Sequence, residues 1–190
     1  MRFLFIRHGE TDWNVRGVMQ GSNDIPLNQN GIDQAFAAAA RLKILPVTKI
    51  ITSPQIRARR TAEIISDAFA LAIHLEHDLR ERSFGAYEGS TPDNLPKIPV
   101  NSNSPHGPFD YADGNVEPFA EVTQRSRGAI ERWLDGHDHT KDGLVLFVAH
   151  GGVFSAIHHA FDCGPHFRVQ NATPYEFLRQ TDGKWLCTPV

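Results

Sequence analysis

Two histidines in this chain share one local setting. His8 follows the apolar run Phe3–Ile6 within Arg7-His8-Gly9, and His150 follows the apolar run Leu144–Ala149 within His150-Gly151-Gly152. Arg57 lies just beyond a third such run, Val47–Thr52, which leads into Ser53-Pro54. Near pH 7 an imidazole is largely neutral and offers a lone pair. Guanidinium groups present forked donors that match phosphate oxygens. A neutral nucleophile meets less repulsion from a phosphate dianion than an anionic one does. Glycines beside each histidine permit close backbone approach and can lend N–H groups to a phosphate. The second histidine can hydrogen-bond the transferring oxygens and spread their charge. These residue types fit phosphoryl transfer through a phosphohistidine, a form of covalent catalysis. They need no metal and no redox cofactor. The acid–base partner is a carboxylate, and Glu10, Glu81 and Glu88 are equally open on the residues alone.

The elements that must bring these groups together are readable from apolar patterning. Residues 2–7, 47–52 and 144–149 read as strands covered on both faces. Residues 73–75 read as a short strand, and 175–179 with 184–188 as a hairpin split by Asp182-Gly183. Asn28 is placed to cap a helix to about residue 43, with Ile32, Phe36, Ala39 and Leu42 inward. Ser53 is placed to cap a second helix that starts at Pro54 and ends near Phe69. Further helices are expected over about 118–135, with Val122, Ile130 and Leu134 inward, and over 153–161. Residues 8–27 read as a long loop. Residues 89–118 hold six of the chain's 12 prolines and read as a long irregular insertion. Strands alternating with helices predict a three-layer α/β/α architecture with a mostly parallel central sheet, in one domain over residues 1–190. Ligands bind at the carboxyl ends of strands in such sheets. His8, Arg57 and His150 converge there if their strands are neighbours.

The bulk numbers exclude several classes. The net charge is −3 with histidine neutral, which gives no general attraction to nucleic acid or to a membrane surface. No apolar stretch approaches a membrane span, and MRFLFI is too short for a secretory core. The two cysteines, Cys163 and Cys187, are too few for a disulfide framework and match no metal spacing, so a reducing, cytoplasmic setting is expected.

The motifs resemble those of the histidine phosphatase superfamily, which has the phosphoglycerate mutase-like fold. The similar blocks are Arg7-His8-Gly9-Glu10-Thr11 with Trp13-Asn14, then Gln20-Gly21, Asp24-Ile25-Pro26-Leu27 and Gly31. They continue in Thr52-Ser53-Pro54, Arg57-Ala58, Thr61-Ala62, Leu79-Arg80-Glu81, Phe84-Gly85, Glu88-Gly89 and Val148 to Gly152, in family order. The resemblance implies His8 as nucleophile and Arg7, Arg57 and His150 as the phosphate pocket. Asn14, Gln20, Gly21 and the Gly151 N–H are implied as further phosphate contacts. It also selects Glu81 as the acid that protonates the leaving oxygen and then activates water.

Departures from the mutase branch point to a phosphatase of a small phosphorylated metabolite, in the branch that includes α-ribazole phosphatase-like enzymes. Phe84 stands where the mutases have tyrosine. Residues 83–124 contain no arginine, and Lys97 is their only lysine, so the mutases' adjacent arginine pair is missing. Pro118, in Asn115-Val116-Glu117-Pro118, replaces a serine found in many members, which bears on lid packing and substrate choice. A mutase that draws its carboxylate clamp from elsewhere, and a phospho-ligand scaffold without turnover, are the alternatives. The scaffold reading suffers because every catalytic part is present.

Other polar groups have plainer readings. Arg57-Ala58-Arg59-Arg60 reads as a solvated helix face with one residue turned in, not a nucleic-acid patch. His137 and His139 read as a polar turn, His158 and His159 as packed or surface residues, Cys163 as a packing residue and Glu88 as a local hydrogen-bond partner. The insertion at 89–118 is expected to cover substrate, with Lys97, His106 and Tyr111 as candidate contacts.

Overall fold

A computed structural model describes residues 1–92 and 115–190, together with the backbone of 97–99 and 109–111. The main sheet has six strands: β1 (Arg2–Arg7), β2 (Val47–Thr52), β3 (Ile73–Leu75), β6 (Leu144–Ala149), β7 (Pro174–Arg179) and β8 (Trp185–Pro189). Their order is β3-β2-β6-β1-β7-β8. The first four of that order run parallel, whereas β7 and β8 are antiparallel to their neighbours. Two shorter strands, β4 (Lys97–Pro99) and β5 (Phe109–Tyr111), form a separate antiparallel pair. The segment 89–118 is therefore not wholly irregular. The expected contacts at Lys97, His106 and Tyr111 lie outside the residues whose side chains are described.

Alternation along the central strands divides the core into two layers. Phe3 and Phe5 of β1 with Val145 and Phe147 of β6 face α4 (Phe119–Leu134) and α5 (Gly151–Ala160). Leu4 and Ile6 with Leu146 and Val148 face α2 (Gln29–Leu42) and α3 (Ile56–Phe69). This is the expected three-layer arrangement. The run Phe3–Ile6 is continuously apolar because both faces are covered. Val122, Ile130 and Leu134 of α4 are buried as expected.

Three details differ from the sequence reading. Residues 8–27 contain a one-turn helix, α1 (Asp12–Val15), closed by reciprocal bonds between Thr11 and Asn14. Ser53 does not cap α3. The helix begins at Ile56, whose N–H is taken by Asp24 Oδ1 from a distant loop at 2.6 Å, while Ser53 is committed elsewhere. On α2 the inward face is Gly31, Ala35, Ala38, Ala39 and Leu42, and Phe36 is 58% exposed. Small side chains win that face because α2 sits close against the β1–α1 loop. A Cβ on Gly31 would lie 2.1 Å from the Glu10 carbonyl oxygen.

Candidate active site

Strand register puts the reactive groups on one rim. Arg7 pairs with Ala149, and Thr52 pairs with Val148. The ladder continues one residue further: the His8 N–H donates to Ala149 O at 2.9 Å, and the Ser53 N–H donates to Val148 O at 3.0 Å. His8, Ser53 and His150 thus leave three neighbouring parallel strands at one level. Arg57 enters from the first turn of α3.

The His8 ring is only 2% exposed. Its Nδ1 lies 2.7 Å from Gly9 O. A carbonyl oxygen only accepts, so Nδ1 carries the proton and Nε2 keeps the lone pair. Burial, with Arg57 and Arg7 nearby, holds this imidazole well below its ordinary pKa, so it is neutral at pH 7. His150 is fully buried, with its ring centroid 5.3 Å from that of His8. Its Nε2 is 2.8 Å from Ser53 Oγ. Burial, then Arg57 and His8, lowers its pKa likewise.

The glycines serve the protein more than the anion. The Gly9 N–H is taken by Thr61 Oγ1 at 3.0 Å, and a Gly9 Cβ would lie 2.3 Å from Gly31 O. The Gly152 N–H donates to Glu81 Oε1 at 3.0 Å, and a Cβ there would lie 2.4 Å from the same oxygen. Of the three, only Gly151 has a backbone facing the pocket without one of these commitments.

Glu81 is the carboxylate at the pocket. It also receives the Arg82 N–H at 2.9 Å, and its own N–H donates to Gln55 Oε1 at 2.7 Å. Gln55 Nε2 in turn donates to Gly21 O at 2.8 Å, so this buried amide ties the Glu81 turn to the Gly21 loop. Glu10 instead accepts from Asn28 and Asn30 on the surface. Glu88 clamps Ser22, Asn23, Ser83 and Phe84. Position separates the three carboxylates that the residues left open: among them, Glu81 alone lines the pocket.

Arg57 is fully buried and donates to Asn23 O at 2.7 Å and to Gly21 O at 2.9 Å. Burial lowers its pKa to about 10, and Glu81 and Asp24 oppose the fall, so it stays charged at pH 7. Arg7 donates to Val169 O at 3.2 Å. Its pKa is also lowered by burial, with Glu81 raising it and Arg168 lowering it. Arg7 Nε, Arg57 Nε and His150 Nδ1 are buried with no partner among the described residues, as is Gln20 Oε1. Unpaired buried donors are costly and rare. Three of them beside one pocket make a site fitted to an acceptor-rich ligand.

The pocket is about 290 Å³ and is lined by His8, Arg7, Asn14, Gln20, Gly21, Arg57, Glu81 and Gly151, all singled out in the sequence. His150 is not among the residues that line it, although its ring centroid is 5.3 Å from that of His8. The wall also includes Ser155, His166, Arg168 and Val169, which sequence reasoning missed. They fall in a helix interior and in an unpatterned segment with no motif. Asn171 was missed too: its Nδ2 donates to His8 O at 2.9 Å and holds the backbone of that residue.

The plainer readings agree with the structure elsewhere. Arg59 and Arg60 pair with Glu63 on the surface of α3. His137 Nε2 contacts Gly143 O in a turn. His158 is buried between Phe154 and Phe167. Burial pushes the Cys163 thiol up to about 12. Among the described residues no helix is long and apolar enough to cross a membrane.

Comparison with known proteins follows the same line. The family model described as histidine phosphatase superfamily (branch 1) matches residues 3–187. An uncharacterized phosphatase, PhoE of Bacillus subtilis, is 37% identical over 152 residues, covering 80% of this chain and 72% of the relative. A probable phosphoglycerate mutase, GpmB of Escherichia coli, is 35% identical over 153 residues, covering 80% and 70%. A phosphoserine phosphatase from Entamoeba histolytica, solved as a mutant with phosphoserine, superposes with a TM-score of 0.79 at 27% identity, covering 98% of this chain and 94% of that one.

Proposed function

The chain belongs to the histidine phosphatase superfamily, and from that premise we propose that it is a phosphatase of a small phosphomonoester, working through a phosphohistidine on His8. The observation that carries the reading is the His8 tautomer: the Nδ1 proton is held by Gly9 O, which leaves the Nε2 lone pair for a pocket that Glu81 also lines. In the first step Nε2 attacks phosphorus and the ester P–O bond breaks. The leaving oxygen takes the proton from a protonated Glu81. In the second step the Glu81 carboxylate takes a proton from water, the water oxygen attacks phosphorus, and the P–N electron pair returns to Nε2. Arg7, Arg57 and His150 meet the charge on the transferring oxygens, with Asn14, Gln20, Gly21 and the Gly151 N–H as further contacts.

This scheme needs no metal, because two guanidiniums and a carboxyl proton fill the roles a divalent cation would take. The reading treats the chain as one catalytic domain. It places the enzyme in the cytoplasm, a setting that suits its two free thiols. One observation favours a mutase as the second reading. Arg168 brings to the pocket an arginine, which the segment 83–124 lacks. Dependence of turnover on a bisphosphate primer would decide for it.

The test is phosphate release from phenyl phosphate with EDTA present. Turnover should persist in the wild type and fall by ~10³-fold or more in His8→Ala. Acid-labile phosphate should be trapped on the wild type alone. Activity that survives in His8→Ala would overturn the mechanism.

A further inference from the structure

The pocket holds more positive charge than a simple phosphate ester needs. Among the described residues its wall contains three guanidiniums, Arg7, Arg57 and Arg168, against one carboxylate, Glu81. His8 and His166 are neutral at pH 7, both lowered by burial. When Glu81 is protonated to act as the acid, the wall carries three positive charges. A phosphomonoester dianion balances two. One remains.

Arg168 is placed to be that remaining charge. Its neighbours in sequence anchor the backbone on either side. Phe167 packs against Phe154, His158 and Tyr175, with ring centroids 5.5, 5.3 and 5.5 Å away. Val169 is buried, and its carbonyl accepts the Arg7 guanidinium. Between these two anchored residues the Arg168 side chain lines the pocket. Arg168 is exposed there and has no hydrogen-bond or ion-pair partner among the described residues. It sits close enough to Arg7 for the two charges to oppose each other. Holding a second guanidinium beside a buried one, with no carboxylate paired to it among the described residues, disfavours the empty site. An anionic ligand group relieves that repulsion.

Beside Arg168 the wall is also polar. Ser155 Oγ donates to Gly151 O at 3.1 Å, so its single proton is used. His166 Nε2, 2.8 Å from the same Oγ, must then be the donor of that pair. This dyad is a fixed polar surface and not an activated nucleophile. The pocket is at the small end of ligand sites, which limits the leaving group to a few heavy atoms.

We infer that Arg168 forms a subsite for a carboxylate on the leaving group, so that the substrates are small phosphorylated carboxylic acids. This rests on the phosphatase reading above. A carboxylate matches the forked guanidinium and supplies the one negative charge still wanted. It also explains how the chain manages without an arginine in residues 83–124: the selective guanidinium comes from the segment before β7.

The experiment compares two esters that share the phosphate and differ only at the far end. 3-Phosphoglycerate carries a carboxylate, and glycerol 3-phosphate carries a hydroxymethyl group. Steady-state kcat/KM is measured for both with the wild type, Arg168→Gln and Arg168→Lys. The quantity read is the ratio of the two substrates within each protein, so any general loss cancels. The wild-type ratio should favour the carboxylate at least tenfold. Arg168→Gln should bring it near one through a rise in KM for 3-phosphoglycerate, and Arg168→Lys should keep part of the preference. A wild-type ratio near one, or a ratio unchanged in Arg168→Gln, overturns the subsite. Phenyl phosphate turnover in these proteins, lost in a parallel His8→Ala sample, shows that the phosphatase reading stands regardless. Failure to hydrolyse any of the three esters would sink both.

Discussion

At the scale of single residues, the site is governed by which nitrogen carries a proton. His8 is settled by the Gly9 carbonyl. His150 is settled less directly. Ser53 is buried and its Oγ accepts the Gln55 N–H at 3.3 Å; among the described residues His150 Nε2 is the acceptor in reach of its hydroxyl proton, which therefore points there. Nε2 is then the acceptor, and the buried Nδ1, which has no partner among the described residues, carries the proton; in the proposed scheme it donates to a transferring oxygen. Ser53 is thus a positioning residue. Removing its hydroxyl frees His150 to adopt the other tautomer. Ser53→Ala should lower kcat on the order of 10-fold with a smaller change in KM, and should steepen the loss of activity at acid pH. Phosphate release across pH 5–8 checks this. An unchanged kcat and pH profile would show that the contact is packing alone. The arginines, histidines and strand ends were legible because each motif sits at the end of an apolar run. The Ser53 contact was not, because Thr52-Ser53-Pro54 reads equally well as the start of a helix.

At the scale of elements, distant segments do what local patterns suggested neighbours would do. Asp24 caps α3 from another loop, and so releases Ser53 to reach His150. The glycine pair after His150 looks from sequence like room for a phosphate. In the structure Gly152 is room for Glu81. No spacing rule encodes that, because the turn carrying Glu81 and the start of α5 are far apart in the chain. Nor could periodicity place α2. Ile32, Phe36, Ala39 and Leu42 have helical spacing, yet the close approach at Gly31 selects the alanine face and leaves Phe36 outside. The Gly152 contact gives a sharp expectation. In Gly152→Ala the new Cβ meets the Glu81 carboxylate and must displace it. Turnover of phenyl phosphate should fall at least tenfold, while overpacking costs about 1–3 kcal/mol of stability. Urea denaturation beside the rate measurement separates the two. A variant as active as the wild type would mean that Glu81 need not lie against α5.

For the whole molecule, the site and the fold are joined through protonation. His8 and His150 leave the central strands β1 and β6, and both are buried with lowered pKa values. The sign follows from linkage. In the unfolded chain each histidine takes a proton near pH 6.5, whereas in the fold each resists it. The unfolded state therefore binds more protons as the pH falls below about 6.5, and stability declines with it. His158 and His166 act in the same direction. The carboxylates with lowered pKa, Glu10, Glu117 and Asp138, also lose stability on acidification, but only below the ordinary carboxylate range. Between pH 6.5 and 5 the histidines dominate. The thermal midpoint should drop steadily over that window in phosphate-free buffer. The double variant His8→Asn with His150→Asn should show a shallower slope, whatever its midpoint at pH 7. Differential scanning fluorimetry at half-unit pH steps reads both slopes. A flat wild-type midpoint, or an equal slope in the double variant, would mean that the two imidazoles take up protons without opening the rim. The strand ends would then be looser than their hydrogen bonds to Gly9 and Ser53 require.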